Sequence, residues 1–190
     1  MKNAIIVHGW NTKEEFFDPN KPTASNDHWY PWLTKQLMVK GFKVDVPEMP
    51  QSSATSYKSW KKEFDRFDIN KETVLVGHSC GAGFLIRWLS ENSKKVGRVF
   101  LVAPWLGLDY GENEFDFSFF NFEIDKKLSI KTDSISLLYS DNDFNGIRLS
   151  VDKIKREIDG INLYEFSDSG HFTATDGFNK FPELLAEILK

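Results

Sequence analysis

The stretch Gly77-His78-Ser79-Cys80-Gly81 carries the most pointed chemistry in the chain. It follows the apolar run Thr73–Val76 and opens onto the apolar-periodic segment Phe84-Leu85-Ile86-Arg87-Trp88-Leu89. A G-x-S-x-G pattern between a strand and a helix puts its serine at the tip of a strained turn. Glycines two residues to either side remove side chains that would collide there. The Ser79 hydroxyl then stands clear of the sheet, at a helix N-terminus whose peptide dipoles favour developing negative charge. That arrangement suits nucleophilic attack on a carbonyl and acyl transfer. The plainer alternative makes Ser79 only a helix N-cap.

A serine hydroxyl needs a base, and the base needs an orienting acid. In a strand–helix alternation these partners follow the serine in the order acid, then histidine, each just past a later strand. His171, in Ser167-Asp-Ser-Gly-His-Phe172, is the only histidine after Ser79. On a Gly/Ser-rich loop it has little packing to do, which marks it as the base. The acid belongs in Ser140-Asp141-Asn142-Asp143-Phe144-Asn145-Gly146. Asp143, further past the strand end, is the choice, and Asp141 is the runner-up. The same segment also reads as the start of an EF-hand calcium loop, with Asp152 at its twelfth position. Against that, a strand precedes it where a helix is needed, and Arg148 stands where an apolar residue belongs. No metal is expected.

Acyl transfer also needs donors for an oxyanion. The backbone N–H of Cys80 is one, and the N–H of Trp10, after Gly9 at the end of the first apolar run, is the other. The Cys80 side chain, one residue past the tip, is expected to pack as a small buried thiol, and His8 to cap its strand. His28 and Trp105 join Trp10 as candidate substrate contacts. His28 opens His28-Trp29-Tyr30-Pro31-Trp32-Leu33, aromatics expected to anchor the helix that follows. Trp105 opens a long connection, 104–125, whose Phe115, Phe117 and Phe119 either line an acyl group or pack into the core.

The elements that must place these groups are strands at Ala4–Val7, Phe42–Val46, Thr73–Val76, Arg98–Val102, Ser134–Tyr139 and Ile161–Phe166. Helical periodicity falls at about 29–40, 56–68, 80–93, 147–158 and 177–189. Such alternation predicts right-handed crossovers and a doubly wound parallel α/β sheet, with reactive groups at the carboxyl ends of the strands. Every motif above falls at such an end. Residues 9–28 and 104–125 are long connections, of the length that serves a site.

Composition sets the outer bounds. At 190 residues the chain is read as a single domain, 1–190, long enough to bury roughly 70% of its unfolded surface. Cys80, its one cysteine, leaves no internal disulfide and no thiolate zinc site. A net charge of −4 and a pI near 5.6 give no broad basic surface for nucleic acid or anionic lipid. Mean hydropathy of −0.41 and short apolar runs leave nothing to span a bilayer. The first ten residues read as a strand, not as a secretion signal. A cytoplasmic protein acting on a small molecule is the expectation.

Taken in order, His8-Gly9, the segment 28–33, Met49-Pro50, Gly77-His78-Ser79-Cys80-Gly81, Asp143 and Gly170-His171-Phe172 form a recognisable series. In them the chain resembles the YdeN-like small serine hydrolases, the α/β-hydrolase family that includes retinoblastoma-binding protein nine. The resemblance implies an α/β-hydrolase fold: a six-stranded, mostly parallel sheet in the order 2-1-3-4-5-6, helices on both faces, no large cap domain. It implies a triad of Ser79, Asp143 and His171 acting on small esters or amides without a cofactor. The chain departs from the family at the acid, where two adjacent aspartates and a following proline are replaced by Asp-Asn-Asp and Phe-Asn-Gly. The reading is a serine hydrolase. A second reading keeps the scaffold but makes it a protein- or ligand-binding module with little or no turnover.

Overall fold

The computed structural model describes residues 2–51, 55–109 and 116–190. Six parallel strands make one sheet: β1 (Asn3–Val7), β2 (Lys43–Asp45), β3 (Val74–His78), β4 (Arg98–Val102), β5 (Ser134–Ser140) and β6 (Asn162–Phe166), in the order β2-β1-β3-β4-β5-β6. β1 and β3 are buried along their whole length, because in a parallel sheet the crossover helices cover both faces. Their sequences, Asn-Ala-Ile-Ile-Val and Val-Leu-Val-Gly-His, accordingly show continuous apolar runs in place of alternation.

Among the described residues the α-helices are α1 (Lys13–Phe17), α2 (Tyr30–Val39), α3 (Tyr57–Phe64), α4 (Cys80–Glu91), α5 (Asn145–Glu157) and α6 (Pro182–Leu189). The chain steps from β1 outward to β2, then reverses to β3 and continues across the sheet. Right-handed crossovers therefore put α2 on one face and α3, α4 and α5 on the other. Packing agrees: Trp29 beside α2 meets Phe181 at the start of α6, with ring centroids 5.8 Å apart. On the opposite face Trp60 and Phe64 of α3 meet Phe84 and Trp88 of α4, at 5.6 and 5.1 Å.

Several element boundaries differ from the sequence reading, most of them by one or two residues, and three differences bear on the site. The 9–28 connection holds α1, held by a capping box: Thr12 Oγ1 accepts from Glu15 N–H, and Glu15 Oε2 accepts from Thr12 N–H. None of its five residues is buried, so no apolar periodicity announces it. The last helix starts at Pro182, five residues later than expected. A short 3-10 turn, Ala174–Asp176, is closed there by Gly177 at φ +93°, and the chain restarts with proline in the first helical turn. The helix expected from 147 begins at Asn145.

The described turn Phe117–Phe120 of the 104–125 connection packs onto α3 and α4. Phe119 is fully buried, with its ring 5.2 Å from Trp60 and 5.8 Å from Tyr57. Arg87 of α4 holds this turn, donating to the carbonyls of Ser118 and Phe119 at 2.8 and 2.7 Å. Core packing is thus the role of Phe119. Phe115 and the Phe117 side chain lie outside the described residues.

Candidate active site

Ser79 links β3 to α4 with φ +54° and ψ −120°. A non-glycine residue in that region is strained, and the flanking sequence shows what holds it. A Cβ on Gly81 would stand 2.3 Å from the Val7 carbonyl oxygen, and one on Gly77 would stand 2.6 Å from Ala82 Cα. Only glycine at both positions lets α4 start this close to β1 and β3. The Ser79 amide stays in the ladder, donating to the Val102 carbonyl at 2.9 Å. Its side chain caps no helical N–H, so the plain N-cap reading fails.

The other non-glycine left-handed residues gather in the same region, with Asp109 (φ +49°) in the cavity lining. Ala103 (φ +43°) follows β4, Asp168 (φ +52°) and Phe172 (φ +57°) follow β6, and His28 (φ +53°) precedes α2. Backbone strain of this kind concentrates at functional sites, where surrounding contacts over-determine it.

Asp143 and His171 meet. His171 Nδ1 lies 3.0 Å from each Asp143 carboxylate oxygen, and the Asp143 side chain is wholly shielded from solvent. Phe144 N–H donates to the same carboxylate at 2.7 Å. Asp141 points elsewhere: its Oδ1 accepts from Asp168 N–H at 2.8 Å and ties the end of β5 to the loop after β6. Asn142 adds to that tie, its Oδ1 accepting from Gly170 N–H. The Asp-Asn-Asp run therefore splits into two residues that hold the histidine loop and one that meets the histidine. With Asp143 engaged on the imidazole, the two aspartates do not converge as an EF-hand loop would require.

Ser79 and His171 line one cavity of about 660 Å³ at the carboxyl ends of the strands. No hydrogen bond joins the two side chains among the described residues. Such bonds tighten when substrate is engaged. Gly9 crosses directly over the serine: a Cβ there would be 3.2 Å from Ser79 Cβ and 3.7 Å from its Oγ. The main chain at Gly9-Trp10 thus passes close to the Ser79 hydroxyl. Trp10, His28 and Trp105, the expected substrate contacts, all line the cavity.

Cys80 is fully buried, and burial pushes its thiol well above the ordinary range, which disfavours the thiolate. His8 is structural: Nε2 accepts from Met49 N–H at 2.8 Å while Nδ1 faces the Gly9 carbonyl. Burial lowers its pKa.

The aromatic segment does more than anchor α2, as the sequence suggested. His28 and Trp29 reach the loop that carries His171 directly, and Tyr30 reaches it through His78. Trp29 Nε1 donates to the Phe172 carbonyl at 3.1 Å, and His28 Nδ1 accepts from Ala174 N–H at 3.2 Å. Tyr30 Oη lies 2.6 Å from His78 Nδ1, and His78 Nε2 donates to the His171 carbonyl at 2.8 Å. Sequence reasoning assigned His78 no role. The available signal was a histidine inside the serine motif, directly before Ser79.

Two walls close the cavity. Trp105, Leu108, Phe144 and Ile147 give one that is mostly apolar. The other comes from the 9–28 connection and is mostly polar, with Thr12 and the Glu15–Lys21 ion pair (2.9 Å). Among the described residues no cluster of three or more histidine, cysteine or carboxylate groups could hold a metal ion, and no helix is long and apolar enough to cross a membrane.

Comparison with known proteins agrees with this picture. The profile of the family described as serine hydrolase matches residues 4–189. YdeN of Bacillus subtilis (strain 168) is 25% identical over 186 residues, covering 95% of this chain and 91% of that protein. The crystal structure of the B. subtilis ydeN gene product superposes with a TM-score of 0.80 at 23% identity, over 100% of this chain and 97% of that one. XC6422 from Xanthomonas campestris, titled an α/β serine hydrolase without lid, shares the fold at a TM-score of 0.59 and 15% identity, over 98% of this chain and 78% of its own. With its parallel sheet in the α/β-hydrolase order and this match over almost its whole length, the chain belongs to the serine hydrolase family.

Proposed function

We propose that the chain is a carboxylesterase-like serine hydrolase whose triad is Ser79, His171 and Asp143. The observation that carries the reading is the shielded Asp143 carboxylate on His171 Nδ1, in the cavity that the strained Ser79 also lines. With Nδ1 held by the carboxylate, Nε2 is the nitrogen left to take the serine proton. Ser79 Oγ attacks the ester carbonyl as that proton passes to His171 Nε2. Charge collects on the carbonyl oxygen, where the N–H groups of Cys80 and Trp10 receive it. The C–O bond then breaks, and Nε2 returns the proton to the departing alkoxide. Water repeats the sequence on the acyl-enzyme and restores Ser79. Every proton and electron pair comes from these side chains, the substrate and water, so the reaction calls for no cofactor.

The substrate that fits is a small ester, with an amide second, its hydrocarbon part against Trp105, Leu108, Phe144 and Ile147. The net charge of −4 supports action on a small molecule and not on nucleic acid or an anionic lipid surface, and the cytoplasm is the compartment we assign to it. Reaction with a fluorophosphonate probe, read by intact mass, tests the proposal. One adduct per chain, lost in Ser79→Ala, supports it. A folded wild-type chain that takes no label and cleaves no nitrophenyl ester would make the protein a binding module instead.

A further inference from the structure

Each atom of the His78 ring that can hydrogen-bond is committed. A carbonyl oxygen only accepts, so the bond from Nε2 to the His171 carbonyl puts a proton on Nε2. On a neutral ring Nδ1 is then an acceptor, and Tyr30 O–H donates to it. Burial among Tyr30, Trp29 and the imidazoles of His28 and His171 pushes the His78 pKa well down, which favours that neutral form. The phenol of Tyr30 is itself fully buried and shifted upward, so it keeps its proton. The ring of His78 lies 4.9 Å from that of His171, tilted by 40°.

The loop it touches needs holding. Between Asp168 and Phe172 three residues have left-handed φ: Asp168, Gly170 and Phe172. His171 itself has its N–H held by Asp176 Oδ2 at 3.0 Å, its carbonyl by His78, and its ring by Asp143. A base displaced by an ångström loses much of its effect, since proton transfer depends on near-attack geometry.

We infer that His78 is a positioning residue for the base: it relays the Tyr30 hydroxyl at the start of α2 to the main-chain carbonyl of His171, and so aims the His171 imidazole at Ser79. This rests on the proposed triad, and it assigns a purpose to the residue just before the serine. The relay needs two properties that no apolar residue has, a donor at the Nε2 position and an acceptor at Nδ1. It also explains why the tyrosine is buried with its hydroxyl pointed at an imidazole.

The test combines tautomer and rate. In uniformly 15N-labelled protein at pH 7, two-bond proton–nitrogen spectra should show His78 neutral with its proton on Nε2. A proton on Nδ1, or a doubly protonated ring, would overturn the relay. His78→Phe keeps a flat ring and removes both nitrogens. Its fluorophosphonate labelling rate and its kcat on a nitrophenyl acetate should fall about 10- to 100-fold, with KM within about threefold. His78→Gln, whose side-chain amide can still donate toward the His171 carbonyl, should recover most of that loss. A folded His78→Phe protein labelling at the wild-type rate would sink the inference. Should His78→Phe not fold, Tyr30→Phe decides: a kcat lowered with KM held supports the relay, and an unchanged kcat refutes it. Failure of the functional reading is distinct, because then the wild type itself would not label.

Discussion

His171 faces Asp143 symmetrically, its Nδ1 3.0 Å from both carboxylate oxygens, while Asp141, two residues earlier, is turned to the main chain of Asp168. The two aspartates are thus separable by experiment. Asp143→Asn should lower kcat by about 10³- to 10⁴-fold, because an amide no longer fixes the imidazole tautomer or offsets its positive charge. Asp141→Asn should keep kcat within a few-fold. The new side-chain amide oxygen can still accept from the Asp168 amide, so the cost is only the charge assistance of that bond, under about 1 kcal/mol, and Tm should barely move. Steady-state kinetics on a nitrophenyl ester with parallel thermal melts checks both. Equal losses in the two variants would return the acid to doubt.

Gly81 is fixed by contact with β1. Gly81→Ala would place a methyl 2.3 Å from the Val7 carbonyl oxygen, which is main chain and has no easy way to move. The expected penalty is about 3 kcal/mol. For a chain of this size that amounts to a Tm lower by roughly 6 to 12 °C. A melting curve within 2 °C or so of wild type would show that the turn is looser than described.

Phe144 is 71% exposed, yet its ring sits 5.4 Å from that of His171 at the cavity mouth. Its truncation should cost the fold little and the substrate more. Phe144→Ala is expected to raise KM about three- to tenfold for esters with long apolar acyl groups, with kcat and Tm nearly unchanged. A series of nitrophenyl esters of graded chain length measures it. A KM insensitive to chain length in both proteins would place the hydrocarbon elsewhere.

Stability should fall with acid earlier than carboxylates alone would cause. Burial lowers the pKa of His8, His28 and His78 below the ordinary 6.5. Below pH 6.5 the unfolded chain therefore binds protons that the folded chain refuses. Stability contributed by the neutral rings is complete above that pH and is lost as pH falls toward the folded values. Each such histidine adds a slope of up to about 1.4 kcal/mol per pH unit. Carboxylates with lowered pKa, such as Asp176 and Asp65, act with the same sign but only below their ordinary 3.8. Urea melts at pH 7.5, 6.5 and 5.5 should show the midpoint dropping already in the last step. A flat profile to about pH 5.5 would mean these rings accept protons in the fold.

Read alone, the sequence settled the order of the six strands and of the helices α2 to α6, and it pointed to the groups that the proposed chemistry uses. Ser79 was legible because its turn needs glycine on both sides, and that need is local. His171 followed by elimination, and the alternating apolar runs dictated the parallel sheet. Tertiary structure decided what depends on direction across distant loops. Asp143 and Asp141 have the same chemistry two residues apart, and only the packing of the β5 and β6 loops turns one to the imidazole and the other to a main-chain amide. The same holds for Phe119, whose place in the core is set by α3 and α4, and for His78, whose partners Tyr30 and His171 lie 48 and 93 residues away. Composition and periodicity record which residues prefer burial. Where a buried polar group finds its partner is fixed only when the strands bring their loops to one edge.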